Sequence, residues 1–396
     1  MVKKSGVLKL KNKTKFKQTK LGKISNDWKD KKISNCIELI YGEGLPETKR
    51  KKGNVSVFGS NGIIGFHDEA LVKGPGVIIG RKGSVGEVAF SKSDFWPIDT
   101  TYYVKAKQGD DLIFWYYFLK TLRLNEMNSH SAVPGLNRNN VYEIIKPIPE
   151  IIEQRAIIKI LLDLDEKIEL NRQMNKTLES IAQTIFKHWF VDFEFLNKND
   201  KPYKSSSGKM IDSELGKIPE GWKAGELKEL IEITSGERPN EKSDKRDSEF
   251  SVPLLGASSI MGFVRETLYN EPVLIIGRVG THGIVQRVLP PSFPSDNTLV
   301  IKTKFYEYVY QILCNVDYDS LNVGTTQPLI TQSSIKAYRV MIPQKLILEK
   351  FENIIVKLYT KVNSNNFEDE SLSQIRDSLL PKLMSGEIRA KTRNNK

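Results

Sequence analysis

The strongest constraint on the fold is that the chain is written twice. Leu21 opens the stretch LGKISNDWK and Leu215 opens LGKIPEGWK, an offset of 194 residues. GSNGIIGF from Gly59 answers to GASSIMGF from Gly256, and VIIGRKGSVG from Val77 to LIIGRVGTHG from Leu274, both at an offset of 197. Pro97, Asp99, Thr101 and Lys105 match Pro294, Asp296, Thr298 and Lys302 in the same way. Beyond them the offset returns to 194, pairing Pro134 with Pro328 and Ile148-Pro149 with Ile342-Pro343. A register held through half a chain, broken only by a three-residue shift that is later reversed, is a duplication.

Each copy ends in a long periodic stretch. Residues 149–195 contain no glycine, and their only proline is Pro149. Ile157, Leu161, Leu164, Ile168, Leu178, Ala182, Ile185 and Trp189 recur at alternating spacings of 4 and 3, with Asn171 and Asn175 in the same register. That spacing is a coiled-coil seam rather than the wider stripe of a surface helix. Forty helical residues span about 60 Å. The second seam runs through Phe351, Ile355, Leu358, Val362, Asn365, Leu372, Leu379 and Leu383, with Asp369 and Arg376 where the first copy has Asn175 and Ala182. Two such helices in one chain pack most simply on each other, antiparallel, because the second globular part must return along the first helix. Asn171 and Asn365 either lie within the seam, where asparagines fix register at some cost in stability, or face solvent at a loosened waist.

The expected organisation is a basic tail (1–20), a first globular domain (21–148), a central helix (149–195), a polar linker (196–214), a second globular domain (215–342), a C-terminal helix (343–388) and a short tail (389–396). The fold class is α+β: two tandem α/β domains with an internal pseudo-two-fold repeat, separated by two long helices in an antiparallel intramolecular coiled coil. Short β-branched runs at 55–58, 76–79, 273–276 and 298–302 alternate with glycine-rich turns. Short helices are expected at 111–124 and 306–315.

The formal net charge of +12 points to a polyanionic partner, with nucleic acid first. Lys49-Arg50-Lys51-Lys52 in the first copy, and Lys242, Lys245 and Arg246 of the mixed-charge patch Glu241–Arg246 at the equivalent place in the second, are candidate phosphate contacts. The turns IIGRKGSVG and IIGRVGTHG add Arg81, Lys82, Ser84, Arg278, Thr281 and His282 as candidate DNA contacts. Their glycines fit a tight turn with positive φ better than a phosphate loop, since neither G-x-G-x-x-G nor G-x-x-x-x-G-K-[ST] occurs. Arginine on such a turn suits phosphate or guanine edges.

No catalytic pattern stands out. H-E-x-x-H and G-x-S-x-G are absent, and His67, His130, His188 and His282 form no ligand pair. Asp99 with Lys105, and Asp296 with Lys302, lack the second acid of a nuclease core. Cys36 and Cys314 have no metal-like spacing and fit a reducing compartment. No apolar run is long enough to cross a membrane, and the N-terminus has no apolar signal core. No metal and no catalytic residue is expected.

At this point the chain resembles the DNA-specificity subunits of type I restriction–modification systems. The residues that carry the likeness are LGKIPEGW at the start of a half, IIGR in its middle, and IPEIIEQRAI leading into the heptads. LNRQMNKTLESIAQTIFKHWFVDFEF, KPYKSSSGKMIDSELGKIPEGW and the ending SLLPKLMSGEI complete it. The resemblance implies two target-recognition domains, each reading half of a bipartite double-stranded DNA site. It implies helices that set the spacer and dock two methyltransferase subunits, with endonuclease–translocase subunits joining them. S-adenosylmethionine, ATP and Mg would reside on those partners and none on this chain, which would act in the cytoplasm of a bacterium or archaeon. Ile181, Phe186 and Phe190 lie beside the seam and are candidate docking residues. The competing readings are a coiled-coil scaffold with two protein-binding modules, and a nuclease fused to a scaffold.

Overall fold

The computed structural model describes the backbone of Phe16–Thr19 and Gly22–Ser25 and all of residues 28–107, 109–127, 135–278, 283–321 and 329–390. The chain forms two compact units: residues 1–171 with 367–396, and residues 172–366.

Both units have the same topology. In the first, a four-stranded antiparallel sheet has the order Ile37–Tyr41, Thr101–Ala106, Gly76–Gly80, Val88–Ser91. A three-stranded sheet has the order Gly62–His67, Val55–Gly59, Phe95–Pro97, and Lys29–Lys32 pairs with Ile145–Ile148. The second unit repeats this as Glu232–Ser235, Thr298–Lys302, Val273–Gly277, Val285–Val288, then Ile260–Val264, Val252–Leu255, Phe293–Pro294, and Lys223–Glu226 with Arg339–Ile342.

The central strands read as unbroken apolar runs because both faces are covered. Every residue of Gly76–Gly80 and of Val273–Gly277 is buried. Val77 and Ile79 face a core with Phe114, Trp115 and Phe118 of the helix Leu112–Lys120, whereas Ile78 faces Phe58 and Phe95 of the three-stranded sheet. Leu274 and Ile276 likewise pack with the helix Tyr306–Cys314, and Ile275 turns the other way. Asp111 caps the first of these helices by accepting from the Ile113 N–H at 3.0 Å. In the second, Glu352 from the C-terminal helix takes that role, accepting from the N–H groups of Glu307 and Tyr308 at 3.1 and 2.9 Å.

The central helix runs Ile151–Phe186 and the C-terminal helix Lys345–Met384. Within each unit their segments lie antiparallel. In the first unit, Asp165 pairs with Arg376 (2.7 Å) and Asn171 donates to Glu368 (3.0 Å) and Asp369 (2.8 Å). Arg376 and Asp369, the misfits of the second seam, are thus complementary to polar groups of the first. In the second unit, Asn175 donates to Asn366 (2.8 Å) and accepts from Asn365 (2.7 Å), while Phe351 packs on Trp189 and Phe190. Ile157, Leu161, Ile168, Asn171, Ala182, Trp189, Phe351, Ile355, Val362, Asn365 and Leu383 are buried. Leu164, Leu178, Ile185, Leu358, Leu372 and Leu379 are half-buried.

Several boundaries differ from the sequence expectation. The central helix stops short of residue 195: a π-turn at Lys187–Val191 follows it, and Phe193 takes φ 62°. That reversal brings Phe190, Phe193 and Phe195 onto Trp222, with ring centroids 5.8, 5.7 and 5.2 Å away. Phe190 is therefore 1% exposed, and Phe186 packs on Tyr308 and Phe351, so neither is a free docking residue; Ile181 remains exposed. Residues 196–214, expected as a linker, fold onto the second unit: Tyr203 stacks on Phe195, and Met210–Ser213 pairs with Gly216–Pro219. The tails are also partly structured. Phe16–Thr19 pairs with Gly22–Ser25, Arg389 binds Glu153, and Ala390 is buried in the first unit's core. The remaining residues of 1–20 and of the C-terminal tail lie outside the described residues.

Candidate nucleic-acid interface

In the first unit one edge gathers the glycine turn and two neighbouring loops; in the second, residues 279–282 of the turn lie outside the described residues, and Arg278, Asn297 and Ile330 mark the corresponding edge. The first turn leaves the central strand at Gly80, whose Cβ position would lie 2.1 Å from the Ser84 carbonyl, and swings round with Gly83 at φ 75° and Gly86 at φ 79°. Gly83 and Gly86 need positive φ, and Gly80 needs close approach. The Arg81 N–H donates to the Thr100 carbonyl (2.9 Å), and the Leu136 N–H donates to the Arg81 carbonyl (2.9 Å). The second unit repeats both bonds, Arg278 to Asn297 (2.9 Å) and Ile330 to Arg278 (3.0 Å). The turn is a fixed frame held from two sides.

What the frame presents differs between copies. In the first unit the Arg81 guanidinium donates to the Asp99 carbonyl at 2.6 Å and lies 5.2 Å from the centre of the exposed Tyr41 ring. Arg138 lies 4.9 Å from the same ring. An aromatic ring flanked by two guanidinium groups is suited to stacking and to polyanion contact. Burial pushes the neighbouring Tyr102 hydroxyl up to about 12, with Tyr41 adding to the shift, so it remains a neutral donor to the Leu136 carbonyl. In the second unit Ser235 and Gln332 stand where Tyr41 and Arg138 stand, each at an offset of 194, and they are hydrogen-bonded to each other. Arg138 escaped sequence reasoning because it stands alone, 57 residues from Arg81 and 97 from Tyr41. Only the sheet brings them together.

The other expected contacts fall into two groups. Lys49, Lys52, Lys82, Lys242, Lys245 and Arg246 are exposed, and Ser84 and Arg278 are half-buried. Arg50 is structural: it donates to the Leu45 carbonyl (3.3 Å) and the Ile64 carbonyl (2.9 Å). The Lys51 N–H donates to His67 Nδ1 (3.1 Å), and its ammonium sits near Asp68 (3.6 Å). Thr281 and His282 lie outside the described residues. Among the described residues, no group of three or more His, Cys, Asp or Glu side chains could hold a metal ion, and no helix is long and apolar enough to cross a membrane.

The outer faces of the helices carry exposed apolar side chains: Leu170, Phe367 and Ile375 in the first unit, and Ile181, Ile354 and Val356 in the second. Ile181 lines a shallow groove with Thr177, Ser180 and Thr184.

A family model described as "Type I restriction modification DNA specificity domain" matches the chain twice, over residues 25–180 and 219–365. The type I restriction enzyme MjaIX specificity subunit of Methanocaldococcus jannaschii is 27% identical over 435 residues, covering 97% of this chain and 98% of that one. The HindI specificity subunit of Haemophilus influenzae is 26% identical over 328 residues, covering 64% of this chain and 71% of that one. The crystal structure of the type I restriction–modification S subunit from M. genitalium shares the fold, with a TM-score of 0.63 at 19% identity, covering 95% of this chain and 98% of that one.

Proposed function

The chain belongs to the family of type I restriction–modification DNA-specificity subunits, and from that premise we propose that each unit reads one half of a bipartite, asymmetric duplex DNA target. The observation that carries this reading is the repeated frame with unlike side chains: Arg81 with Tyr41 and Arg138 in one unit, Arg278 with Ser235 and Gln332 in the other. Equal frames suit two half-sites of one duplex, and unlike side chains make those half-sites different. The net charge of +12 supplies the sequence-independent attraction. The two long helices set the unspecified spacer, and their polar seam contacts hold the register on which a fixed spacer depends.

Two methyltransferase subunits dock on the exposed apolar faces of the helices, with Ile181 among the residues they cover. Endonuclease–translocase subunits complete the restriction assembly. The chain itself performs no catalysis. S-adenosylmethionine, ATP and Mg belong to the partners, and the whole assembly works on cytoplasmic DNA.

Mapping adenine methylation in the host with and without this gene tests the reading. Deletion removes methylation at one split motif with two unlike halves. If every methylated motif survives deletion in a host whose methyltransferase subunits are expressed, the reading fails.

A further inference from the structure

The three-stranded sheet of each unit contains the same unusual hairpin. Val57 pairs with Gly65 and Phe58 with Ile63, leaving Ile64 as an extra residue; Leu254 pairs with Gly262 and Leu255 with Ile260, leaving Met261 as the extra residue. A bulge breaks the alternation of a strand and re-aims its side chains. Two consecutive large apolar residues consequently stand in solvent in both copies. Ile63 is 55% and Ile64 43% exposed, and Ile260 is 56% and Met261 46% exposed. These strands are also sheet edges, where exposed apolar side chains invite aggregation and are ordinarily avoided. Keeping them twice points to a use.

A lysine-bearing loop lies across each hairpin at the same place, uniformly basic in the first unit at residues 49–52 and of mixed charge in the second, where Glu241 and Asp244 accompany Lys242, Lys245 and Arg246. In the first unit Arg50 reaches over Gly65 to the Ile64 carbonyl, and a Cβ on Gly65 would lie 2.8 Å from its Nη1. In the second, Ser243 bridges Phe263 by two backbone hydrogen bonds (2.9 and 2.8 Å), and a Cβ on Gly262 would lie 2.7 Å from its carbonyl oxygen. Both glycines have positive φ, 155° and 143°. The repeated glycine is thus explained by the crossing of the loop. The crossing sets exposed lysines, Lys49 and Lys52 or Lys242 and Lys245, on the loop that borders the apolar pair.

We propose that this hairpin is a second base-reading element of each unit, in addition to the arginine frame: the apolar pair packs on base edges of duplex DNA while the bordering lysines hold phosphates. This rests on the DNA-reading function argued above and adds an element that takes part in it. Base edges in the major groove carry one apolar group, the thymine methyl, which aliphatic side chains can distinguish from a hydrogen-bonding edge. Phosphate contacts fix position without reading sequence. A protein partner would account for the apolar pair but leaves without a role the exposed lysines, Lys49 and Lys52 or Lys242 and Lys245, that border it in both copies.

The test uses the full chain assembled with its methyltransferase subunits and a randomised duplex library, from which bound sequences are selected. The wild type selects a bipartite sequence. The Ile63→Ser, Ile64→Ser variant loses about tenfold discrimination at one or more positions of one half-site only. The Ile260→Ser, Met261→Ser variant does the same in the other half-site. Ile63→Val with Ile64→Val, which keeps an apolar β-branched pair, preserves the preference. Lys49→Ala with Lys52→Ala weakens binding to all sequences and flattens its salt dependence without altering base preference. The substituted side chains are exposed, so the thermal transition stays in place. If the wild type selects a split site and the serine variants select the same one with unchanged discrimination, the hairpin inference falls while the DNA-reading function stands. Loss of a methyltransferase subunit with base preference intact overturns it in favour of protein docking. A wild-type assembly that selects no sequence takes down both readings.

Discussion

Arg389 is among the last described residues, yet it binds Glu153 at the start of the central helix through two nitrogens, one of them at 2.7 Å. Glu153 also accepts from the Trp28 indole N–H at 3.0 Å, and its side chain is 9% exposed. Removing the guanidinium leaves a buried carboxylate short of its charged partner. Arg389→Ala is expected to destabilise the first unit by about 2–3 kcal/mol, seen as a lower urea midpoint for the probe Trp28 with little change at Trp222. Glu352 is the second case. Burial raises its carboxyl from the ordinary 4.5 to about 7, partly offset by the two N–H groups it caps. Glu307 and Arg287 lie around it, Arg287 itself resting over the Tyr359 ring, and Glu307 is raised by burial too. The folded state therefore holds this proton more tightly than the unfolded one. Its contribution is fully present below about 4.5 and is lost as pH rises through about 7. Between pH 5 and 8 the second unit should lose on the order of 2 kcal/mol from this group. Glu352→Gln should remove most of that slope in denaturant titrations at the two pH values; an unchanged slope would assign it elsewhere.

The long helices show how polar residues specify an element at some expense of stability. The bonds from Asn365 to Asn175 and from Asn175 to Asn366 sit in the second unit's part of the seam, whose other positions are apolar. An asparagine pair of this kind favours one register over others and is less stabilising than leucine. Replacing Asn175 and Asn365 together by leucine is expected to raise the stability of the second unit by roughly 1 kcal/mol. Methylation should then occur at motifs with more than one spacer length, because the register is no longer fixed. Retention of a single spacer in the double variant would separate register from spacing.

At the scale of the molecule, the two copies exchange their ends. The first unit's core includes Leu383, Met384 and Ala390 from the C-terminus, and the second unit's includes Trp189, Phe190, Phe193 and Phe195 from the end of the first copy. A domain exchange must respect this. Grafting residues 21–148 from another family member is expected to change one half-site of the methylated motif and leave the other intact. The graft should keep apolar partners for Ile157, Ile158, Leu161 and Leu383, which close the same core. A change in both halves, with a folded product, would contradict the modular assignment.

The duplication, the seam and the turns were legible because each is a local or periodic signal. The offsets between copies predict equal topologies, spacing of 4 and 3 predicts paired helices, and glycines at 83 and 86 predict positive φ. The short helices fell within a few residues of 111–124 and 306–315. Less could be read from the candidate interface. The run Lys49 to Lys52 looks uniform in sequence, but Arg50 is spent on two carbonyls while Lys49 and Lys52 stay in solvent. Phe186 and Phe190 have the composition of a docking patch, and they are covered instead by Trp222 from beyond the helix and by Tyr308 and Phe351, over a hundred residues further along. Periodicity records which residues are apolar. It does not record what covers them, because burial and hydrogen bonding pair groups such as Glu153 and Arg389 that leave no local trace. The sequence by itself determined that there are two copies, that each ends in a seam helix, and where the chain must turn. Only the tertiary structure decided which end completes which core, and which apolar and basic residues remain for a partner.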